Sequence, residues 1–591
     1  MRIRTVLIAL FLFLVHWTNA SAADFSFDYD VTYAVRETGV THVVQNIQIT
    51  NETSQYYPRN YTLTISSDLV ANVSARDTLG PITPEVRTGN GETTITITFN
   101  TIAAGIYKQL PFTLEYDLGE VASLKGGIWE IIIPGTEKKE EVNSYTIQLT
   151  TPGSFGTPAY FSPPKTSPDL QWEWSEHAGS GISVAFGDSQ SFAFTLHYHL
   201  FNDSARSQEQ EITLPPDTAF QKISIEDISE SPLSVRSDKD KNWLATFPVP
   251  AGQEKEITVT GTASVFIKPQ PGFRQILSDE EFALYTRTQP YWDQSEEITA
   301  KAKELATPEA IYNFVVSHLQ YDYSRLEPGI ERLGAQTAFA YPARAVCMEF
   351  SDLFVAMTRS AGIPAREIHG YAYTTNSRLQ PLSLGVDILH AWAEYYDRKR
   401  ELWIPVDPTW GNTTHGVNYF HQLDFNHVAF AILGVASDYP YPAGAFRSTN
   451  TQKDVFIEFA APKRELPEAE FLLKFPNFLM AISGLTTTIP VTVVNTGGVL
   501  VPEMTLSAPR FNEHAVIISE QPPFAKTQVP LKISPGIVWQ GGKTAFTVIA
   551  AGREFSTTIL IIPFYIPLAA GAFGILLFGI LILHVKRKIT R

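Results

Sequence analysis

The chain of 591 residues contains a single cysteine, Cys347, and its surroundings make it a candidate nucleophile. A set of apolar residues after it repeats with helical spacing: Phe350, Leu353, Phe354, Met357 and Ala361. Gly362 suits the position just after a helix, and Pro364 cannot continue one. Cys347 is therefore expected in or just before the first helical turn, where the helix dipole favours a thiolate. The alternative is a buried, inert thiol, the usual state of a free cysteine.

A histidine and an aspartate further along could complete a catalytic group with this cysteine. His390 begins an alternating, strand-like run, the charged segment Asp397–Glu401 predicts a turn, and Leu402–Asp407 predicts the returning strand. A turn centred near residue 398 would place Asp407 opposite His390. Cross-strand neighbours have Cβ atoms roughly 4.5–5.5 Å apart. At that distance a carboxylate accepts the imidazole N–H and orients the ring.

Three ordered segments resemble the core motifs of the transglutaminase-like superfamily. They are "AIYNFVVSHLQYDY" at 310–323, "AVCMEFSDLFVAMTRSAGIPAREIHGYAY" at 345–373 and "HAWAEYYD…WIPVDPTWG" at 390–411. The resemblance covers about a quarter of the chain. It implies a central α+β, papain-like domain.

The resemblance also implies a catalytic triad. It assigns the nucleophile to Cys347, the general base to His390 and the orienting acid to Asp407. Two features depart from the family pattern: Ala345 occupies a position that is often glycine, and no residue aligns with the second oxyanion donor, Trp292 included. Neither a cofactor nor a metal is expected.

The implied chemistry is attack of a thiolate on a protein or peptide amide, giving a thioester. An amine would convert this thioester into a cross-link, and water would complete deamidation or peptide cleavage. The triad does not choose between these outcomes. The alternative function is a non-catalytic surface binding or scaffold protein that uses a transglutaminase-like module.

The two ends of the chain predict export and a membrane anchor. Residues 1–22 have the basic start, short apolar run and A-x-A site of a signal peptide. Residues 566–585 carry no charge and are long enough to span a bilayer. The basic tail, 586–591, should stay in the cytoplasm and leave the large N-terminal region outside a cell membrane.

The remaining sequence predicts a multidomain, mostly β protein. Alternating patterns predict a β-sandwich region at 23–200, and a β-rich domain or its continuation at 201–270. The transglutaminase-like domain is expected at 275–440 and an immunoglobulin-like β-sandwich at 455–562. The formal net charge of −16 argues against nucleic acid as a partner. The resemblance, together with the predicted export, implies extracellular protein or peptide substrates.

Several histidines are weak candidates for metal ligands. His197 and His199 form an H-x-H pair on one strand without an apparent third ligand. His415, His421 and His427 lack helix-type ligand spacing and are expected to be structural or to line a substrate loop.

Overall fold

A computed structural model describes most of the chain, and two predicted segments fall partly or wholly outside it. The described residues are 24–119, 121–135, 140–163, 165, 169–178, 181–326, 331–374, 380–382, 389–414, 417–421, 423–446, 453–461, 467–511 and 515–589. The predicted signal peptide, His415 and the last two residues of the predicted tail lie outside these ranges.

The chain divides into two compact units. The first comprises the residues up to Ser123 together with Ile131–Gly156 and Thr166–Ser180, and the second comprises Leu124–Glu130, Thr157–Lys165 and the chain from Gly181 onward.

The N-terminal part of the chain consists almost entirely of strands. In chain order the elements are β1 (Phe25–Val35), β2 (Thr41–Asn51), β3 (Asn60–Ile65), β4 (Val70–Asp77), β5 (Gly80–Ile82), β6 (Glu85–Gly89), β7 (Glu92–Thr98), β8 (Gln109–Leu118), β9 (Ala122–Lys125), β10 (Ile128–Ile133), β11 (Val142–Thr150), β12 (Pro158–Ser162), β13 (Gln171–Trp172), α1 (Trp174–His177) and β14 (Ile182–Phe186). The first unit has a seven-stranded sheet of order β13-β11-β1-β2-β8-β4-β5 and a three-stranded sheet of order β3-β7-β6. Alternate residues of β2 are buried, as the period-two pattern predicts. The β-rich character is confirmed, and the sandwich arrangement stays a prediction.

The second unit starts with long strands, continues with helices and returns to strands. Its next elements are β15 (Ser189–Asn202), β16 (Gln208–Leu214), β17 (Gln221–Ile228), β18 (Ser234–Ser237), β19 (Trp243–Val249), β20 (Gln253–Phe266), α2 (Asp279–Leu284), α3 (Glu296–Leu305), α4 (Pro308–His318), α5 (Gly334–Ala340), α6 (Cys347–Ser360), β21 (Ala365–Ala372), β22 (Leu389–Asp397), β23 (Leu402–Val406), α7 (Pro408–Thr413), β24 (His427–Leu433) and β25 (Val455–Ala460). Short 3-10 turns lie at Gly153–Phe155, Tyr323–Arg325 and Pro342–Arg344.

One sheet built from these strands runs across two of the predicted domain boundaries. The 14 residues of β15 pair along their whole length with β20, so no break falls at residue 200. Strand β25 pairs with β15 in the sheet β17-β20-β15-β25. Pairing between strands so distant in sequence leaves no local pattern, and the domain boundaries themselves stay predictions.

The central region combines helices with the antiparallel sheet β23-β22-β21-β24. Helix α6 is buried along most of its length and packs against β22 and β21. Helix α4 starts as predicted: Thr307 caps it by accepting a hydrogen bond from the N–H of Ala310 at 3.2 Å, and Pro308 occupies its first turn. These elements position the candidate site.

The C-terminal part consists of two sheets that share one core, followed by a long helix. The elements are β26 (Phe471–Lys474), β27 (Leu479–Ile482), β28 (Thr487–Asn495), β29 (Met504–Ser507), β30 (Val516–Ile518), β31 (Lys526–Ile533), β32 (Gly542–Ala550), β33 (Arg553–Ile562) and α8 (Tyr565–Ile589). Residues of both sheets form a single apolar cluster. Within α8, Tyr565–Lys586 is long and apolar enough to cross a membrane, with a mean hydropathy of 2.5.

Candidate active site

Cys347 is the first residue of α6, as the apolar spacing predicts. The helix start is fixed by Glu349, whose Oε2 accepts a hydrogen bond from the N–H of Val346 at 2.9 Å. The helix ends in a Schellman motif: Ile363 N–H donates to Thr358 O at 3.1 Å, and Gly362 has a φ of 78°. This frame holds the thiol on a rigid element whose N-terminal dipole favours negative charge.

The predicted hairpin is present, but its register differs by two residues from the expected one. Val406 pairs with Ala393, so the ladder places Asp407 level with Trp392 rather than with His390. The turn is centred one residue later than expected because Glu401 adopts a left-handed φ of 57° and closes it. His390 and Asp407 are therefore diagonal neighbours, which still lets their side chains meet.

Asp407 contacts His390 directly and is held in place by the next helix. Its Oδ2 lies 2.9 Å from His390 Nε2. Its Oδ1 caps α7 by accepting hydrogen bonds from the N–H groups of Thr409 at 2.8 Å and Trp410 at 3.1 Å. Both oxygens of the carboxylate are thus used, and its orientation is fixed.

The electrostatics of this pair favour a charged imidazole. Burial disfavours the imidazolium, but the charge and hydrogen bond of Asp407, followed by the nearby Cys347 thiol, outweigh burial and raise the pKa of His390 to about 9. Burial likewise opposes ionisation of Asp407, but the two histidines around it keep its pKa below the ordinary value. His390 Nδ1 is buried, and besides Asp407 the group that interacts with the ring is the Cys347 thiol. Since Asp407 occupies Nε2, Nδ1 is the atom left to exchange a proton with the thiol.

A second histidine contacts the same carboxylate, which the sequence prediction missed. His427 Nε2 lies 3.4 Å from Asp407 Oδ2, and His427 Nδ1 lies 2.8 Å from Asp424 Oδ1. Burial lowers the pKa of His427, but Asp424 first and then Asp407 raise it to about 9. The Asp-x-x-His spacing of Asp424 and His427 was the only local signal for this pair. His427 was expected to be structural or in a substrate loop, whereas it joins the buried charge network.

The atoms of His390, Asp407 and His427 that could bind a metal lie within 4.8 Å of one another. Each of them already takes part in a hydrogen bond, so imidazole–carboxylate pairing satisfies the group without an ion. Three other histidines that the sequence offered as metal ligands lie elsewhere. His197 pairs with Glu256, His199 lies 3.3 Å from Asp454, and His421 lies 3.3 Å from Glu309. The structure does not bring them to the triad.

A cleft of about 280 Å³ leads to Cys347 and His390. Its walls are mainly aromatic and apolar, with a few polar groups. The residues that line it include Tyr291, Arg332, Met348, His369, Asp438 and Tyr441. Cys347 itself has no exposed surface, so a substrate must enter the cleft to reach the thiol.

Trp292 does not supply an oxyanion donor. It is fully buried, and its Nε1 donates to Glu367 Oε2 at 3.2 Å. Its ring lies 4.3 Å from the guanidinium carbon of Arg359. The residue therefore supports the packing behind the cleft.

The class of protein follows from this fold and site. Residues 293–408 match the family model described as the transglutaminase-like superfamily. That segment of the chain belongs to this superfamily, as its motifs predict. No curated protein matches the sequence.

Several solved structures resemble parts of the chain. A candidate cysteine protease from Cytophaga hutchinsonii is 16% identical, with a TM-score of 0.32, over 48% of this chain and 93% of its own. A candidate protease from Parabacteroides distasonis is 10% identical, with a TM-score of 0.19, over 87% of this chain and 95% of its own. Red sea bream transglutaminase is 12% identical, with a TM-score of 0.17, over 60% of this chain and 95% of its own.

Proposed function

We propose that the protein is a cell-surface thiol acyltransferase or hydrolase that acts on protein or peptide amides. Cys347 is the nucleophile, His390 the general base and acid, and Asp407 the residue that orients His390. The observation that carries the proposal is the buried contact of 2.9 Å between Asp407 and His390, next to the only cysteine of the chain at a helix start. The superfamily membership of residues 293–408 supports the same chemistry.

The first half of the reaction forms a thioester. His390 Nδ1 takes the thiol proton of Cys347, and the thiolate attacks the amide carbonyl carbon. The tetrahedral intermediate collapses as the C–N bond breaks, and the imidazolium returns its proton to the leaving ammonia or amine. Asp407 compensates the positive charge of the ring while it is present.

The second half of the reaction consumes the thioester. An amine or a water molecule loses a proton to His390 and attacks the carbonyl carbon, and the thiolate of Cys347 leaves. An amine gives a new amide, which is a cross-link, and water gives a carboxylate. The N–H of Cys347, in the first turn of α6, is the candidate donor to the oxyanion.

The placement of this chemistry outside the cell is part of the proposal. Helix α8 would anchor the chain in a cell membrane, and the basic residues that follow Val585 would keep its end in the cytoplasm. The domains before α8 would then meet extracellular proteins or peptides.

Trapping with hydroxylamine tests the proposed reaction. The full chain is incubated with a library of glutamine-containing and other peptides in the presence of hydroxylamine, and peptide hydroxamates are detected by mass spectrometry. Hydroxylamine intercepts a thioester, so wild-type protein should give hydroxamates and the Cys347→Ser variant should give none. Asp227→Asn, the same chemical change at an exposed position of β17 outside the cleft, is the matched control and should retain activity.

One observation favours the alternative, a non-catalytic binding or scaffold module. The thiol of Cys347 has no exposed surface. If neither hydroxamate formation nor ammonia release depends on Cys347 for any peptide of the library, the scaffold function becomes the better account.

A further inference from the structure

A second cavity, of about 490 Å³, lies on the other face of the central sheet. Ile368 and Trp392 are register partners on β21 and β22 and line this cavity. The next pair along the ladder, His369 and Ala391, lines the cleft of Cys347. Because successive residues of a strand point to opposite faces, these two pairs lie on opposite sides of the strands, and no residue lines both openings.

The interior of this cavity is mainly apolar. Side chains of Phe220, Val265, Ile267, Leu402, Ile404 and Leu423 contribute to its walls. A volume of this size falls in the range of about 300–1,000 Å³ that is typical of small-molecule sites. The volume and the lining of this cavity therefore suit a ligand with an apolar body.

The charged groups of the cavity carry a positive excess. Lys268, Arg274 and Lys399 line it, are exposed and have no ion-pair partner among the residues that the structure describes. Arg400 also lines it, and its contact with Asp397 is long, at 3.9 Å, and exposed. Four basic side chains thus surround one opening in a chain whose net charge is −16.

The two carboxylates of the lining do not cancel this excess because each already has a cationic partner. Glu394 Oε2 accepts a hydrogen bond from Arg366 Nε at 2.6 Å. Asp424 Oδ1 lies 2.8 Å from His427 Nδ1. His421, the remaining titratable group, lies 3.3 Å from Glu309.

We infer that this cavity binds a small amphipathic anion, with an apolar body inside and a carboxylate or phosphate at the basic opening. Basic side chains form charge-assisted hydrogen bonds with such a headgroup, and the apolar walls remove the body from water. His427 lines the same cavity and lies 3.4 Å from Asp407 Oδ2, so the ligand would sit directly behind the triad. This site is separate from the cleft in which the proposed reaction takes place.

Direct binding measurements on the full chain in zwitterionic lipid nanodiscs test this inference. Octanoate carries both features of the ligand, acetate keeps the charge without the body, and octanamide keeps the body without the charge. Calorimetric titration should show octanoate binding at least tenfold more tightly than either analogue. Equal binding of acetate would mean a simple anion site, and equal binding of octanamide would mean non-specific apolar partition; either result overturns the inference.

Matched variants locate the site and separate it from the proposed reaction. The double variant Lys268→Gln/Lys399→Gln should weaken octanoate binding roughly tenfold, whereas Lys303→Gln, an exposed lysine outside the cavity, should not. Both sets of changes are at exposed positions, so folding should be preserved. Cys347→Ser should bind octanoate as wild type does, so that loss of the catalytic proposal leaves this inference standing. Unchanged binding in the double variant, or photolabelling by a diazirine octanoate confined to α8, would refute it.

Discussion

The Asp407→Asn variant gives the sharpest test of how the triad works. Asparagine has nearly the size of aspartate and also caps helices well, so its Oδ1 can still accept from Thr409 and Trp410. The amide group would face His390 Nε2 in place of the carboxylate oxygen. An N–H donor there favours the tautomer with the proton on Nδ1, and Nδ1 can then no longer accept a proton from Cys347.

The expected magnitude follows from the pKa of His390. In the folded protein Asp407 is the main group that opposes burial and raises this pKa from 6.5 to about 9. At 1.36 kcal/mol per pKa unit, this difference of about 2.5 units corresponds to roughly 3–4 kcal/mol, or roughly 300-fold in the population of the thiolate–imidazolium pair. Without the carboxylate, burial alone acts on the ring and lowers its pKa.

The assay is the rate of alkylation of Cys347 by iodoacetamide as a function of pH. Wild-type protein should react well below pH 8.5, where an isolated thiol is mostly protonated, because the ion pair persists up to about pH 9. Asp407→Asn should react roughly 300-fold more slowly near pH 6 and nearly as fast near pH 9.5, where the thiol ionises without help.

Asp227→Asn, at an exposed position of β17 outside the cleft, controls for a general change of charge and should leave the profile unchanged. Superimposable profiles for wild type and Asp407→Asn would show that Asp407 is not coupled to the cysteine, and the scaffold function would then be favoured.

Three further predictions concern stability and topology. Because folding raises the pKa of His427 to about 9, its contribution to stability is full below pH 6.5 and is lost as the pH rises through about 9. His427→Gln should therefore lower the thermal midpoint of unfolding at pH 6 and make that midpoint decrease less steeply between pH 6 and pH 10. A pH dependence equal to that of wild type would contradict this assignment. Gly362→Ala should lower the free energy of unfolding of the central region by about 1–2 kcal/mol in denaturant titrations, because its φ of 78° disfavours alanine although an added Cβ would meet no other atom. Gly536→Ala, where φ is not positive, should have little effect. Equal effects of the two changes would argue against the Schellman motif at the end of α6. Protease added to intact cells or spheroplasts should remove nearly the whole chain and leave a small membrane fragment containing α8, and full protection would overturn the extracytoplasmic placement.

The local features of the site could be predicted from the sequence because they depend on neighbouring residues. The apolar spacing after Cys347 and the position of Gly362 are enough to locate α6. The alternation around His390 and the charged turn after it are enough to identify the hairpin. The register was wrong by two residues because the left-handed conformation of Glu401 leaves no clear sign in the sequence.

The features that sequence missed are those that depend on distant partners. His427 reaches Asp407 from β24, a strand that pairs with β21 and lies after the triad in the chain. Strand β25 pairs with β15, which is more than 250 residues earlier, and no local pattern announces that pairing. The cationic opening of the second cavity combines Lys268 and Arg274 with Lys399 and Arg400, and no local pattern links these two segments.

The proposed reaction requires that the acyl group of a substrate becomes covalently attached to Cys347. The most direct measurement is acid quenching of the full chain within seconds of mixing with a reactive peptide from the hydroxylamine screen, followed by digestion and mass spectrometry of the peptide containing Cys347. An acyl group should be found on the Cys347 thiol, should disappear on treatment with hydroxylamine and should be absent from the Cys347→Ser variant. Turnover of the peptide with no acyl group on Cys347, or with undiminished activity in Cys347→Ser, would contradict it.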